Sequence, residues 1–177
     1  MKFNLGSGDR YEDGWINVDH GYIGKKDQRV NLAGPLPWEK ESVSYVYAGH
    51  LLEHLTKKEC LELLTNLLPL MINGGKLMIV GPDIEKAREM MEAGTFDYTY
   101  HSLNSLLYGG HRWEGDDHKW ETNEKEITEL LTIAGWSEIQ SIGISNVGVE
   151  WPVADRAPQW QYAILARKGK EKELDET

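Results

Sequence analysis

Two glycines set the first limit on what this chain can fold into. Residues 2–5 alternate polar and apolar side chains like a short strand, and they run straight into Gly6-Ser7-Gly8-Asp9. A second strand reads from Trp15 to Val18 and ends on Asp19. Only residues 6–14 lie between the two, whereas a parallel crossover usually takes about ten to twelve residues or more. Any helix in this connection is therefore confined to a turn or two. The sheet has to be started by a crossover made almost wholly of loop.

Further along, residues 29–32 read as a third, short strand, and Gly34-Pro35-Leu36-Pro37 then forbids regular structure. Residues 45–48 read as a buried strand followed by Gly49. Residues 56–68 carry the clearest helical pattern. Leu61, Leu64 and Leu68 share a face that Leu63 and Leu67 widen, and Thr56 with Glu59 fits a capping box. Asn73-Gly74-Gly75 turns the chain into a strand at 76–80, and Gly81-Pro82-Asp83 starts a helix near 84–91. Asn123 with Glu126 caps another helix, whose Ile127, Leu130, Leu131 and Ala134 share a face and whose end is marked by Gly135. Residues 139–144 and 162–166 read as the final strands. Alternating strands and helices predict an α/β sandwich around a mainly parallel sheet. The closing pair, with no full helix between its members, predicts an antiparallel last strand. The domain spans 1–166, and the almost wholly charged residues 167–177 are expected to be a disordered tail.

Length and charge narrow the function. The chain has 177 residues, with 19 Lys+Arg against 29 Asp+Glu, for a net charge of −10. That length suits one domain. The acidic balance argues against nucleic-acid polymers and against anionic membrane surfaces as partners. No apolar run approaches the roughly 18–20 residues of a membrane span. The first residues move directly into strand-like sequence, so no signal peptide is expected and the expected compartment is cytoplasmic. The single cysteine, Cys60, excludes an internal disulfide and a multi-cysteine metal site. Nothing in the sequence sets the oligomeric state.

In a parallel sheet the ligand crevice lies outside the carboxyl ends of the strands. Gly6 and Gly8 occupy that place after the first strand, where glycine allows positive φ and close approach of a ligand to the backbone. Asp19 sits at the end of the next strand, where a carboxylate can accept both hydroxyls of a ribose. A dinucleotide fingerprint would need a third glycine where Tyr11 stands and an acid about 20 residues on. Asp19 follows Gly8 by only 11 residues, which counts against a dinucleotide-dependent oxidoreductase.

Leu5-Gly6-Ser7-Gly8-Asp9-Arg10, followed by Gly14-Trp15-Ile16-Asn17-Val18-Asp19, resembles the opening of a class I S-adenosylmethionine-dependent methyltransferase. It is most similar to the small bacterial and phage methyltransferase-11-like group, whose first crossover is shortened. The resemblance continues in Pro35-Leu36-Pro37-Trp38, in Val46 to Leu55, in Leu68-Pro69 to Leu77 and in Ala134-Gly135-Trp136. Ser44-Tyr45 departs from it, since relatives often have Asp before the fourth strand. The resemblance implies a three-layer, Rossmann-like fold with a seven-stranded sheet and S-adenosylmethionine as cofactor. Gly6, Ser7 and Gly8 would pass its methionine part, Asp19 would hold its ribose, and Gly49 and His50 would border it. Asn31 and Leu32 would lie by the adenine. Asn31 stands where many relatives carry Asp, and its side-chain carbonyl can still pair with the adenine amino group.

His50-Leu51-Leu52-Glu53-His54 follows the fourth strand at the crevice. Imidazole has an unperturbed pKa near 6.5, which suits a general base. The segment at 94–121 is the expected substrate wall. It combines Tyr98, Tyr100, Tyr108, Trp113 and Trp120 with His111, Asp116, Asp117 and His118. His118 is the first candidate base, His111 the second, and His50 the third. No metal is expected in the leading reading. Some class I methyltransferases hold a divalent ion through a Glu-x-x-Glu-His segment, and this chain has His50 in place of the first Glu. Glu53 and His54, completed by His118 or His111, are therefore the alternative ligand set. The expected activity is methyl transfer to a small acceptor, such as a sugar or glycan hydroxyl. The alternative is a catalytically silent cofactor-binding or assembly module with the same fold.

Overall fold

A computed structural model describes residues 1–21, 24–98, 102–112, 115–153 and 159–169. Tyr100, Trp113 and most of the charged tail lie outside these residues. Seven strands form one sheet. In chain order they are β1 (Lys2–Leu5), β2 (Ile16–Asp19), β3 (Gln28–Arg29), β4 (Val43–Gly49), β5 (Met71–Pro82), β6 (Ser137–Ser141) and β7 (Gln161–Arg167). The spatial order is β3-β2-β1-β4-β5-β7-β6. The β1, β2, β3, β4 and β5 neighbours pair in parallel, and β7 runs antiparallel to both β5 and β6. The last strand is thus the reversed one. It enters between β5 and β6, and the described residues between β6 and β7 hold only one short 3-10 turn. The fold is the expected α/β, Rossmann-like sandwich.

No helix joins β1 to β2. The connection closes instead on one buried amide, Asn17, which is wholly inaccessible to solvent. Its side-chain oxygen accepts from Asn4 Nδ2 at 2.9 Å and from the Glu12 N–H at 2.9 Å. Its Nδ2 donates to the Glu12 and Trp15 carbonyls, each at 3.0 Å, and to the Asp27 carboxylate at 3.1 Å. Asp27 also accepts from the Asn17 N–H at 2.8 Å and from the Tyr11 hydroxyl at 2.9 Å. These donors hold its carboxyl below the usual range, the Asn17 backbone most of all. A parallel crossover without a helix would strand its polar backbone groups, and here one side chain gathers several of them.

Helices cover one face of the sheet. Helix α1 (Lys57–Leu67) starts at Thr56, whose hydroxyl accepts from the Glu59 N–H while Glu59 accepts from the Thr56 N–H, the expected capping box. Cys60, Leu63, Leu64 and Leu67 form its buried face, while Leu61 and Leu68 are only partly buried. Helix α2 (Ile84–Glu92) is capped by Asp83, and α3 (Leu103–Tyr108) by Ser102. The latter is a short helix inside the segment that showed no long periodicity. Helix α4 (Glu124–Ile133) ends at Gly135, where φ is +90°. The Trp136 N–H reaches the Leu131 carbonyl at 3.0 Å and the Gly135 N–H the Thr132 carbonyl at 3.1 Å, a Schellman closure. The Trp136 indole N–H donates to the Leu64 carbonyl and ties α4 to α1.

The opposite face has a thinner cover. Tyr47, Met78, Val80 and Ala163 pack there under Trp15, Ile144, Val147, Trp151 and Val153, all drawn from loops and a single 3-10 turn. Trp151 lies 5.8 Å from Trp15 and 5.4 Å from Tyr45, ring centre to ring centre. Large flat side chains replace helices as the second covering layer.

Two substitutions test these readings by urea unfolding. Asn17→Leu removes the partners of several buried groups and is expected to lower stability by about 2–4 kcal/mol. Trp151→Ala is expected to cost about 3–5 kcal/mol. Losses under about 0.5 kcal/mol would show that the loop network or the aromatic cover is not structural.

Candidate functional site

The carboxyl ends of β1, β2, β4 and β5 meet at one edge of the sheet. Leaving β1, Gly6 and Gly8 take φ of +67° and +56°. A Cβ on Gly6 would lie 2.9 Å from Leu51 Cδ1, so the loop and the segment after β4 are in close apposition. The Gly6 and Ser7 N–H groups donate to the Val18 carbonyl at 2.8 and 3.2 Å. The Asp19 carboxylate then fastens the loop from β2. One oxygen accepts from the Gly8 N–H at 2.9 Å, the other from the Gly21 N–H at 2.6 Å. Each carboxylate oxygen keeps further acceptor capacity. Ser7 is buried, and its hydroxyl has no hydrogen-bond partner among the described residues.

Asn31 is exposed, and its side-chain oxygen accepts from the Ala33 N–H at 3.0 Å, an Asx turn. Leu32 is buried in the main core. Gly49 ends β4 with the Tyr47 hydroxyl against the space its Cβ would take. His50 follows at φ +51°, a left-handed conformation unusual for a residue with a Cβ.

The imidazole of His50 lies between two partners. Its Nδ1 is 3.2 Å from Glu53 Oε1 and its Nε2 is 2.7 Å from Gln161 Oε1. A carboxylate only accepts, so Nδ1 carries the proton on the Glu53 side. Desolvation disfavours the imidazolium, but the Glu53 carboxylate outweighs it and raises the His50 pKa. Glu53 is itself buried. Burial favours its neutral form, yet His50, His54 and His118 around it hold the carboxyl below its ordinary value.

The segment carrying Asp117 to Trp120 is fixed to the turn that bears Glu53. The Lys119 N–H donates to the Glu53 carbonyl at 2.8 Å, and the Trp120 indole N–H to the Leu52 carbonyl at 3.0 Å. Gly109 and Asp117 pair as a β-bridge. These bonds bring His118 to His54, with ring centres 4.9 Å apart. His118 Nδ1 is 2.8 Å from the Leu106 carbonyl, and burial lowers its pKa despite nearby Glu53. His111 stands apart. Its side chain is 65 % exposed and meets Asp117 at 2.6 Å. Arg112 clamps the buried Asp116 through Nε at 3.0 Å and Nη2 at 3.1 Å. Burial pushes the Cys60 thiol up to about 12, and it donates to the Leu52 carbonyl.

The structure therefore brings together Gly6, Ser7, Gly8, Asp19, Gly49 and His50 at the crevice. It gathers Glu53, His54 and His118 beside them and leaves His111 on the outside. Gln161 escaped sequence reasoning, since it lies 111 residues from His50 and no local pattern marks it. An open groove of about 450 Å³ lies along α1, lined by residues 33–36 together with Glu62, Asn66 and Leu70. A smaller cleft of about 240 Å³ opens between Asn4, Arg10, Glu12 and the 149–153 loop.

No protein-family model matches the chain, and no curated protein matches it in sequence. Solved structures do match in fold. A SAM-dependent methyltransferase from Methanosarcina mazei shares 14 % identity over 96 % of this chain and 92 % of its own, with a TM-score of 0.61. One from Archaeoglobus fulgidus shares 15 % identity over 94 % of this chain and 85 % of its own, with a TM-score of 0.60. Human N-acetylserotonin methyltransferase, solved in complex with SAM, shares 17 % identity over 96 % of this chain and 47 % of its own, with a TM-score of 0.55. The fold is thus that of SAM-dependent methyltransferases. No helix among the described residues is long and apolar enough to cross a membrane.

Asp19→Ala removes both acceptors that fasten the glycine loop. Hydrogen exchange at the Gly8 and Gly21 amides is expected to rise at least tenfold while exchange in β4 and β5 stays unchanged. Unchanged exchange at both glycines would refute the latch.

Proposed function

We propose that the chain transfers a methyl group from S-adenosylmethionine to a hydroxyl of a small acceptor, such as a sugar or glycan unit. The observation that carries this reading is the glycine loop latched to Asp19 beside the end of β4. The local chemistry fits the cofactor. Positive-φ glycines leave the backbone open to close approach, and the buried Ser7 hydroxyl lacks a partner among the described residues. Asp19 retains acceptor capacity for ribose hydroxyls, and Gly49 and His50 border the same crevice. Asn31 and Leu32 remain the residues assigned to the adenine side, with Asn31 free to exchange its local bond for the base.

The bound cofactor supplies an electrophilic methyl group on its sulfonium. The protein has to align the acceptor oxygen and take its proton. His50 is the residue best placed for the second task, ahead of His118 and His111. It sits at the end of β4 next to Leu51, which packs against Gly6, and Glu53 holds its Nδ1–H. When neutral it presents the Nε2 lone pair on the side now facing Gln161, whose carboxamide can turn to donate. Its side chain is 46 % exposed, so an acceptor can reach it. The exposed rings of Tyr98 and Tyr108 offer flat faces for a sugar. The acidic surface favours a small acceptor over a nucleic-acid polymer, and the expected compartment remains the cytoplasm.

Titration calorimetry and transfer of a labelled methyl group to a panel of glycosides test the reading. Asp19→Ala is expected to weaken S-adenosylmethionine binding about 10–100-fold. His50→Ala is expected to keep that binding while lowering kcat about 10²–10⁴-fold. Equal cofactor affinity in wild type and Asp19→Ala would overturn the role of Asp19. Cofactor binding with no labelled product would favour the silent module.

A further inference from the structure

We infer that Glu53, His54 and His118 form a binding site for a divalent transition-metal ion, of the class of Zn²⁺, Co²⁺ or Mn²⁺. Each residue offers one ligand atom, and these atoms lie within 4.8 Å of one another. Neighbouring donors around an ion with bonds of about 2.0–2.2 Å stand about 3.0–3.5 Å apart. Closure therefore needs shifts of only about 1–2 Å, within reach of rotation by two half-buried imidazoles.

The donor atoms are already prepared for such an ion. Glu53 is fully buried, and its two oxygens are treated differently: Oε1 faces His50, while Oε2 has no partner among the described residues. A buried carboxylate oxygen left unpaired is costly, and a cation beside it would satisfy it. The two imidazoles are oriented in the same sense. His54 Nδ1 is 3.3 Å from the Asp117 carbonyl and His118 Nδ1 is 2.8 Å from the Leu106 carbonyl. A carbonyl accepts, so each Nδ1 carries the hydrogen and each Nε2 keeps its lone pair for a metal. Ligating histidines are commonly fixed in this way by backbone oxygens behind them.

The donor set selects the ion. Two nitrogens and one carboxylate suit a borderline transition ion better than Mg²⁺ or Ca²⁺, which prefer oxygen ligands. Cys60 stays out of the set, since its thiol is protonated and donates to a carbonyl. His50 acts here as a positioning residue that holds the other Glu53 oxygen. Glu53 and His54 belong to the turn after β4, and His118 to the substrate-wall segment. An ion would thus clamp that wall to the sheet edge, and three protein ligands would leave coordination positions open for an acceptor oxygen.

The site rests on the donor geometry and stands whether or not methyl transfer is demonstrated. The test uses the full chain, stripped with a chelator and titrated with Co²⁺ and Zn²⁺ by calorimetry and visible absorption. One ion per chain is expected, with Co²⁺ ligand-field bands that Zn²⁺ abolishes and equimolar Mg²⁺ does not. His54→Ala, His118→Ala and the isosteric Glu53→Gln are each expected to weaken binding at least tenfold, with circular dichroism confirming the fold. Absence of saturable Co²⁺ and Zn²⁺ binding by the wild type would overturn the site. So would undiminished binding by folded His54→Ala and His118→Ala. Calorimetry with S-adenosylmethionine on the same stripped protein reports separately on the cofactor crevice.

Discussion

The buried side-chain amide of Asn17 is the contact on which the carboxyl-end edge of β1 and β2 depends. A parallel pair normally leans on a crossover helix that satisfies its own backbone groups and packs on the sheet. Here residues 6–14 are too few for that. Asn17 gathers the Glu12 N–H, the Glu12 and Trp15 carbonyls, Asn4 and Asp27 into one network. With those groups satisfied, β1 and β2 hold register from Phe3 with Ile16 to Leu5 with Val18. That register delivers Gly6 and Asp19 to the same edge, where the carboxylate can fasten the loop.

Economy in the first crossover has a consequence on the far side of the sheet. The face opposite α1 and α4 lacks long helices among the described residues, and it is sealed by Trp15, Trp151 and neighbouring loop residues. Aromatic rings bury large areas per residue, so a few of them can do what a helix would otherwise do. The cover also brings the 149–153 loop beside Asn4, Arg10 and Glu12. The segment that shields the core is therefore also a wall near the glycine loop.

At the site itself, one buried carboxylate has one oxygen paired and the other unpaired. Glu53 holds the Nδ1 proton of His50 with one oxygen, while the other oxygen is turned to no partner among the described residues. Its burial would favour a neutral acid, and the three histidines around it tip the balance to the charged form. The bonds from Lys119 and Trp120 to the 52–53 backbone tie the 117–120 segment into this arrangement.

Local chemistry was enough for much of the fold. The glycine loop, the acid closing β2, the capping box at Thr56 and Glu59 and the glycine end of α4 act within a few residues, so sequence spacing displays them directly. The reversed last strand followed from the short return after β6. Helix α3 did not stand out, because a six-residue helix shows too little periodicity and rests on its Ser102 cap. His111 stood second among the candidate bases, since sequence distance from Asp117 says nothing about exposure.

By itself, then, the sequence determined that a strand, a two-glycine turn and a strand-ending acid would open a parallel α/β sheet. These features depend on backbone freedom and short-range hydrogen bonds. Only the tertiary structure decided that His50 would lie between Glu53 and Gln161, and that His118 would cross to His54. Those meetings span 111 residues in one case. They are set by how β7 enters beside β5 and how the 109–120 segment docks on the turn after β4, long-range packing that no local pattern records.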